Sequence, residues 1–357
     1  MSNILGKWVE WKLGGARIKR RLDSIKPEVR SRKHEGKVIR AAAVQRSICP
    51  VKSVEKYCDA MEYFVKEAAV QGCDIIAFPE YNFFDLLGVI PGFAKLNRYL
   101  NKKAAKAVPG NKAPKMDPKG LYPLFCNISV PIQNTIEQLM CGLALKYSIY
   151  IYTGSYIIKE KEKLFNGGAF ISREGKILER QKKLHLTDFE EKLGIKRDNE
   201  FKVISLDIGN IAFPVCMDAT YYETFNLARS QGCDIVILPI ANNEEYGFYR
   251  ALRGIWPRVQ ESHVYGVKAS LNGWLCGLHF TGKSGIFAPI GITSGRDGII
   301  SISKDFEGDS LVVGDICLER LYKEREEDEY YGDSNPEFEK DFYLNSYMGG
   351  KLNTPKR

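Results

Sequence analysis

Gln71-Gly72-Cys73-Asp74-Ile75 and Gln231-Gly232-Cys233-Asp234-Ile235 are one pentapeptide used twice in the same chain. Before the first copy, apolar residues at 54, 57, 61, 64, 65 and 68 keep the helical period. The second follows a helix expected over 221–231. Each copy then leads into a short apolar strand that reaches a proline, Pro79 or Pro239. Two helix–strand units of the same design imply two halves related by a pseudo-twofold axis. Pairing their strands and covering the outer faces with their helices gives an α/β fold, a four-layer α-β-β-α sandwich.

Outward from these anchors, strands are expected over 38–44, 74–78 and 149–157. Two hairpins follow, 168–172 with 177–183 and 201–206 with 211–215. The remaining strands fall at 234–239, 264–270, 284–288, 299–303 and 310–315, and further helices at 132–146 and 249–263. Residues 81–127 are rich in Gly, Pro, Asn and Lys and read as one long irregular loop, the signature of a lid or binding loop. The domain reading is a basic extension over 1–36, one α/β domain over 37–320 and a polar tail over 321–357.

Composition narrows the class. The chain is 44% apolar and 27% charged, an ordinary globular balance. No apolar run is long enough for a membrane helix, and the first residues lack the apolar core of a signal peptide. Nine cysteines with no C-x-x-C pair suit a reducing cytoplasm better than a disulfide framework or a zinc site. Four histidines without H-x-x-x-H spacing argue against a His-based metal centre. Residues 1–40 hold twelve Lys and Arg against four Asp and Glu, which accounts for the whole net charge of +8. The basic character therefore belongs to the extension and does not imply a nucleic-acid partner.

Three polar residues stand at the ends of apolar strands, where α/β folds place ligands. Glu80 follows Ile76-Ala77-Phe78-Pro79; desolvation there would raise its pKa and make it a general base, or it is a loop acid paired with a lysine. Lys183 ends the strand expected over 177–183 and could hold a developing oxyanion, or is a solvated lysine. Cys216 ends the strand over 211–215, and Thr220 with Glu223 fits a capping box that starts the next helix. That puts Cys216 on a strand-to-helix elbow, where a cationic neighbour would favour the thiolate. A buried apolar cysteine is the plainer alternative and suits Cys73 and Cys233 better. His185 reads as a structural histidine or a second site residue.

Together, Phe78-Pro79-Glu80-Tyr81, Lys182-Lys183-Leu184-His185-Leu186 and Pro214-Val215-Cys216-Met217-Asp218 resemble the nitrilase, or carbon–nitrogen hydrolase, superfamily. The motifs stand in the family's order, 103 and 33 residues apart. The resemblance runs from about Val38 to Asp315 and includes Glu223, Arg229, Gln260-Glu261 and Gly282-Lys283-Ser284. It implies the same α-β-β-α sandwich. It also implies Cys216 as nucleophile, Glu80 as base, and Lys183 with the backbone N–H of Met217 as oxyanion holders. A second glutamate is implied shortly after the lysine; Glu190 and Glu191 compete for it, and Glu190 is favoured. No metal or organic cofactor is required, and the partners implied are a small amide or nitrile substrate and further copies of the chain. The sequence departs from the family pattern at Met217, where an aromatic residue is common, at Tyr221-Tyr222 and in the long segment 86–127. Competing readings are a Cys216/His185 hydrolase or acyltransferase, and a binding protein that keeps the fold without catalysis.

The resemblance leaves out the extension. Ile4, Trp8, Trp11, Ile18, Leu22, Ile25 and Val29 form a helical apolar stripe between basic residues, interrupted at Gly14-Gly15. The favoured expectation is that this stripe docks on the enzyme body or on a second subunit. Peripheral contact with an anionic membrane surface is the alternative.

Overall fold

The structure, a computed structural model, describes residues 4–27, 38–106, 118–329 and 335–343. The first half holds α1 (Ile4–Leu13), α2 (Gly15–Ser24), β1 (Val38–Ser47), α3 (Val54–Val70), β2 (Ile75–Ala77), α4 (Phe93–Ala105) and α5 (Tyr122–Tyr147). Then come β3 (Tyr150–Glu160), β4 (Lys163–Ile171), β5 (Ile177–Lys182) and α6 (Asp188–Leu193). The second half holds β6 (Val203–Leu206), β7 (Gly209–Ala212), α7 (Tyr222–Ser230), β8 (Ile235–Ile240), α8 (Phe248–Leu252) and α9 (Trp256–Ser262). It continues through β9 (Tyr265–Leu275), β10 (Leu278–Phe280), β11 (Gly285–Phe287), β12 (Ile299–Ile302), β13 (Ser310–Cys317) and α10 (Leu318–Glu327).

Strand pairing reveals the repeat. One sheet runs β13-β1-β2-β3-β4-β5 and the other β6-β7-β8-β9-β11-β12, and both step antiparallel, parallel, parallel, antiparallel, antiparallel. The pentapeptides occupy matching places. Cys73 N–H donates to Ala68 O and Cys233 N–H to Ala228 O, closing each helix end. Gly72 and Gly232 take φ of +70° and +73°, a turn other residues adopt at a cost. The Asp74 and Asp234 carboxylates then accept the backbone N–H of Arg40 and Asn210 at 2.9 and 3.0 Å, tying each new strand to its neighbour. The sheets also join at one corner, where Gln45, Arg46 and Ser47 of β1 pair in parallel with Ser270, Leu271 and Asn272 of β9.

Alternation along the strands separates three apolar layers. Ala41, Ala43, Ile75 and Ala77 face Ile211, Ile235, Ile237 and Val267 between the sheets. Ala42, Val44, Ile76 and Phe78 point outward against α3 and α5. Val236 and Leu238 point outward against Phe225 and Ala228 of α7 and Val259 of α9. Three cores between four layers make the α-β-β-α sandwich.

Some local expectations change. Much of the segment 81–127, expected to be irregular, is helical: a 3₁₀ turn spans Phe84–Val89, then comes α4, and α5 starts at Tyr122. Residues 107–117, the most Gly/Pro-rich part, lie outside the described residues. Pro131 sits inside α5. Phe125 and Ile128 continue the buried stripe of Ile132, Ile136 and Leu139, and that burial outweighs a proline penalty of about 3 kcal/mol. The helix expected over 249–263 divides into α8 and α9, and Pro257 stands in the first turn of α9, where its missing N–H breaks no helical hydrogen bond. In the expected tail, α10 buries Leu321.

The extension lies against the body. Helices α1 and α2 pack on α5, and α2 also packs on α3. The buried residues are Val9, Leu13, Ile18, Leu22 and Ile25. Within α1 the expected stripe is therefore displaced: Ile4 is 73% and Trp11 57% exposed, and Trp8 also faces out. The break at Gly14 restarts the helix, so the two helices do not share one continuous face. Val29 lies outside the described residues. No helix among the described residues is long and apolar enough to cross a membrane.

Candidate active site

Glu80 leaves β2 beside a bulge in β3, where the β3–β4 register slips between Tyr152 and Ser155. Gly154 lies in the bulge with φ +70°, and a side chain there would stand 2.1 Å from Pro79 O. Ser155 N–H donates to that carbonyl at 3.2 Å, which fixes the strand end just before Glu80. Glu80 Oε2 accepts the Ala241 N–H at 3.0 Å, so the ends of the matching strands β2 and β8 meet at this carboxylate.

Lys183 follows β5, held by its N–H to Asn166 O at 2.7 Å. Its Nζ, fully buried, donates to Glu80 Oε1 at 2.8 Å and to Glu190 Oε1 and Oε2 at 3.0 and 2.9 Å. Glu190 lies in the first turn of α6, in a capping box with Thr187: its Oε2 accepts the Thr187 N–H at 2.9 Å. Glu191 faces out and pairs with Arg197. Of the two competing glutamates, the structure brings Glu190 to the lysine.

Cys216 ends the run after β7 and opens a 3₁₀ turn, Cys216–Thr220, with φ +46°. A left-handed cysteine costs about 1–3 kcal/mol and projects its thiol out of the chain path. Thr220 and Glu223 do not form the expected capping box, since α7 starts at Tyr222 without a side-chain cap. The buried Asp218 holds the elbow instead. Its Oδ2 accepts the Val215 N–H at 2.9 Å, and its Oδ1 accepts the N–H of Leu184 and His185 at 3.1 and 2.7 Å. One carboxylate thereby ties the cysteine turn to the strand end carrying Lys183. His185 stacks on Tyr221 at 4.1 Å, with Nδ1 3.2 Å from Asp218 Oδ1, which matches its structural reading.

Electrostatics assign the resting protons. Burial pushes Glu80 above the usual carboxylate range, Glu190 adds to the rise, and Lys183 only partly opposes it. Burial also pushes the Cys216 thiol well up, and the charge of nearby Glu80 adds to this against Lys183. The cationic neighbour does favour the thiolate, as expected, but burial and Glu80 outweigh Lys183 and the resting thiol stays neutral. Burial alone would lower Lys183, yet Glu80, Cys216 and Glu190 hold it raised and charged. Burial alone would raise Glu190; Lys183, Tyr81 and Thr187 hold it below its ordinary value.

Four nearby residues were not read from the sequence. Asn166 Nδ2 donates to Glu80 Oε1 at 2.9 Å and Glu190 Oε1 at 2.8 Å, and Tyr81 OH donates to Glu190 Oε1 at 2.7 Å. Asp218 is the third. The fourth is Lys268, buried on β9, which donates to Ala251 O at 3.0 Å. Burial lowers its ammonium to about 8, the nearby Cys216 thiol acting the other way. The available signal was polarity against pattern: Asn166 and Lys268 interrupt apolar strands. Glu80, Lys183, Cys216, Met217 and Lys268 line a cavity of about 550 Å³.

A buried cation between two carboxylates shares this cavity with a thiol on a strained turn, which brings together a candidate nucleophile, a candidate base and a fixed positive charge. The carbon-nitrogen hydrolase family model matches residues 40–298. The chain belongs to the carbon-nitrogen hydrolase family, the nitrilase superfamily. It is 26% identical over 302 residues to the probable hydrolase YhcX of Bacillus subtilis, a match covering 81% of this chain and 52% of that protein. It is 24% identical to the human omega-amidase NIT2, over 57% of this chain and 64% of that one. The chain thus spans about half to two thirds of these relatives. An amidase from Nesterenkonia sp. AN1 superposes with a TM-score of 0.61 at 17% identity, covering 87% of this chain and 98% of that one, a likeness of fold.

Proposed function

We propose that the protein hydrolyses the carbon–nitrogen bond of an amide or carbamoyl amine, in preference to a nitrile, through a thioester on Cys216. The observation that carries this is the Lys183 ammonium, fully buried between Glu80 and Glu190, on the lining of the same cavity as Cys216. Such a cation is a fixed charge aimed at a developing oxyanion.

Glu80 takes the thiol proton as Sγ attacks the carbonyl carbon, because the resting thiol is neutral and needs a base. The tetrahedral oxygen takes the negative charge, held by Lys183 and the Met217 N–H. The C–N bond breaks as Glu80 passes its proton to nitrogen, and ammonia or an amine leaves. Water then attacks the thioester carbon and gives a proton to Glu80. The C–S bond breaks, the acid departs, and the proton returns to sulfur. Glu190 does not exchange protons in this scheme; it keeps Lys183 charged and in place. The Nesterenkonia amidase, described with the acetamide moiety of fluoroacetamide added covalently at its active site cysteine, supports a nucleophilic role for Cys216.

The test is ammonia or amine release across small amides, carbamoyl amines and nitriles, using wild type and Cys216→Ala. Release from amides by the wild type alone is expected. Equal release by both proteins removes Cys216 from the reaction.

A further inference from the structure

The cavity over Cys216 has two unlike walls. Residues 216–220, 241–254 and Lys268 carry much of its polar lining. The other wall is formed by Phe84, Phe93, Leu121, Leu124, Phe125 and Phe280. Five of these six come from residues 84–125, the segment between β2 and the first turns of α5, and Phe280 comes from β10. Phe84 stacks on Tyr81 with ring centroids 4.8 Å apart and meets Phe280 at 6.0 Å. Tyr81 in turn holds Glu190, so this wall starts at the catalytic cluster and extends away from it. Phe84, Phe93, Leu121 and Leu124 are only partly buried: they pack against the core on one side and line the cavity.

An acetamide-sized substrate would leave that surface wet. Binding gains from an apolar wall only when ligand carbon covers it, and the gain grows with each methylene. We propose that the substrate amide carries a long apolar group, an aliphatic chain or an aromatic ring system, which lies along the wall built by Phe84, Phe93, Leu121, Leu124 and Phe125 while its carboxamide meets Cys216. This rests on the amidase reading above.

The full-length protein is tested with straight-chain primary amides from acetamide to decanamide and with N-alkyl acetamides over the same lengths. Binding of both series to Cys216→Ala is measured in parallel. In at least one series, kcat/KM is expected to rise about fourfold per added methylene, with Kd on Cys216→Ala falling at a similar slope. Leu124→Asn should flatten the slope. Hydrolysis that is fastest on acetamide and flat in both series, with flat binding, overturns the apolar substrate class and leaves the reaction standing. Length-dependent binding without hydrolysis of any amide keeps the apolar site and rejects the reaction.

Discussion

The ammonium of Lys183 separates two buried carboxylates, so removing it affects folding as well as chemistry. Lys183→Met leaves Glu80 and Glu190 facing each other without a counter-charge. We expect turnover to fall at least about a hundredfold and stability to fall by about 3–5 kcal/mol at pH 7. The stability loss should shrink as pH falls and the stranded carboxylates protonate; urea titrations at pH 7.5 and 5.5 read this directly. Lys268 predicts the opposite sign. Burial lowers its ammonium to about 8, below the ordinary lysine value. The unfolded chain therefore binds more protons between that pH and about 10.4, so the penalty is complete below the window and fades as pH rises through it. Lys268→Met should raise stability at pH 7 by up to about 3 kcal/mol, seen as a higher midpoint in denaturant; an unchanged midpoint would show that the buried ammonium costs nothing. Glu80, raised by burial, places the acid limb of kcat/KM above the ordinary glutamate value of about 4.3. A pH–rate profile with its acid limb at or below that value would remove Glu80 as the base. At this scale the sequence showed the charged residues that end apolar strands, Glu80 and Lys183, and the cysteine that does the same. It hid Asn166 and Tyr81, whose contacts with Glu190 span 24 and 109 residues and leave no local signature.

The elements differ in how much of their geometry was local. Helix α3 and β2 follow from period and turn chemistry alone. The start of α5 did not, because Pro131 reads as a boundary until the burial of Phe125 and Ile128 on the same face is known. The partition of α1 was misread for a related reason: Val9 and Leu13 share a face as regularly as Trp8 and Trp11 do, and only the surface of α5 selects between them. The docking itself has defined contacts. Arg21 bonds Asp59 at 2.9 Å and pairs with Glu62, both on α3, and Lys146 Nζ donates to Ile25 O at 3.3 Å. Leu22 packs over Gly142 of α5, where any Cβ would lie 2.3 Å from Leu22 Cδ1. Gly142→Val should therefore push α2 away and destabilise the protein by about 1–3 kcal/mol. Faster proteolysis within residues 14–27, with the ammonia assay retained, would show displacement. An unaltered digestion pattern would contradict the docking.

At the scale of the whole molecule, the repeated pentapeptide was legible because each copy performs a local task, closing a helix and anchoring the next strand through its aspartate. The corner where β1 meets β9 was not legible. It depends on residues far apart in the chain: Ser284 Oγ donates to Val44 O at 3.1 Å and accepts the Ser270 N–H at 2.9 Å, while Ser284 N–H donates to Gln45 Oε1 at 3.0 Å. The two halves matter together because each supplies part of the site: Glu80, Lys183 and Glu190 from the first, Cys216 and the Ala241 N–H from the second. The central claim is that this joint site carries an acyl group on sulfur. Its most direct test is peptide mapping by mass spectrometry of enzyme quenched in acid during turnover of an amide it hydrolyses. The account predicts an acyl mass increment on the Cys216 peptide that disappears with hydroxylamine, which converts it to the hydroxamate. Sustained release of ammonia or amine with no adduct at any quench time, and no hydroxamate, would contradict it.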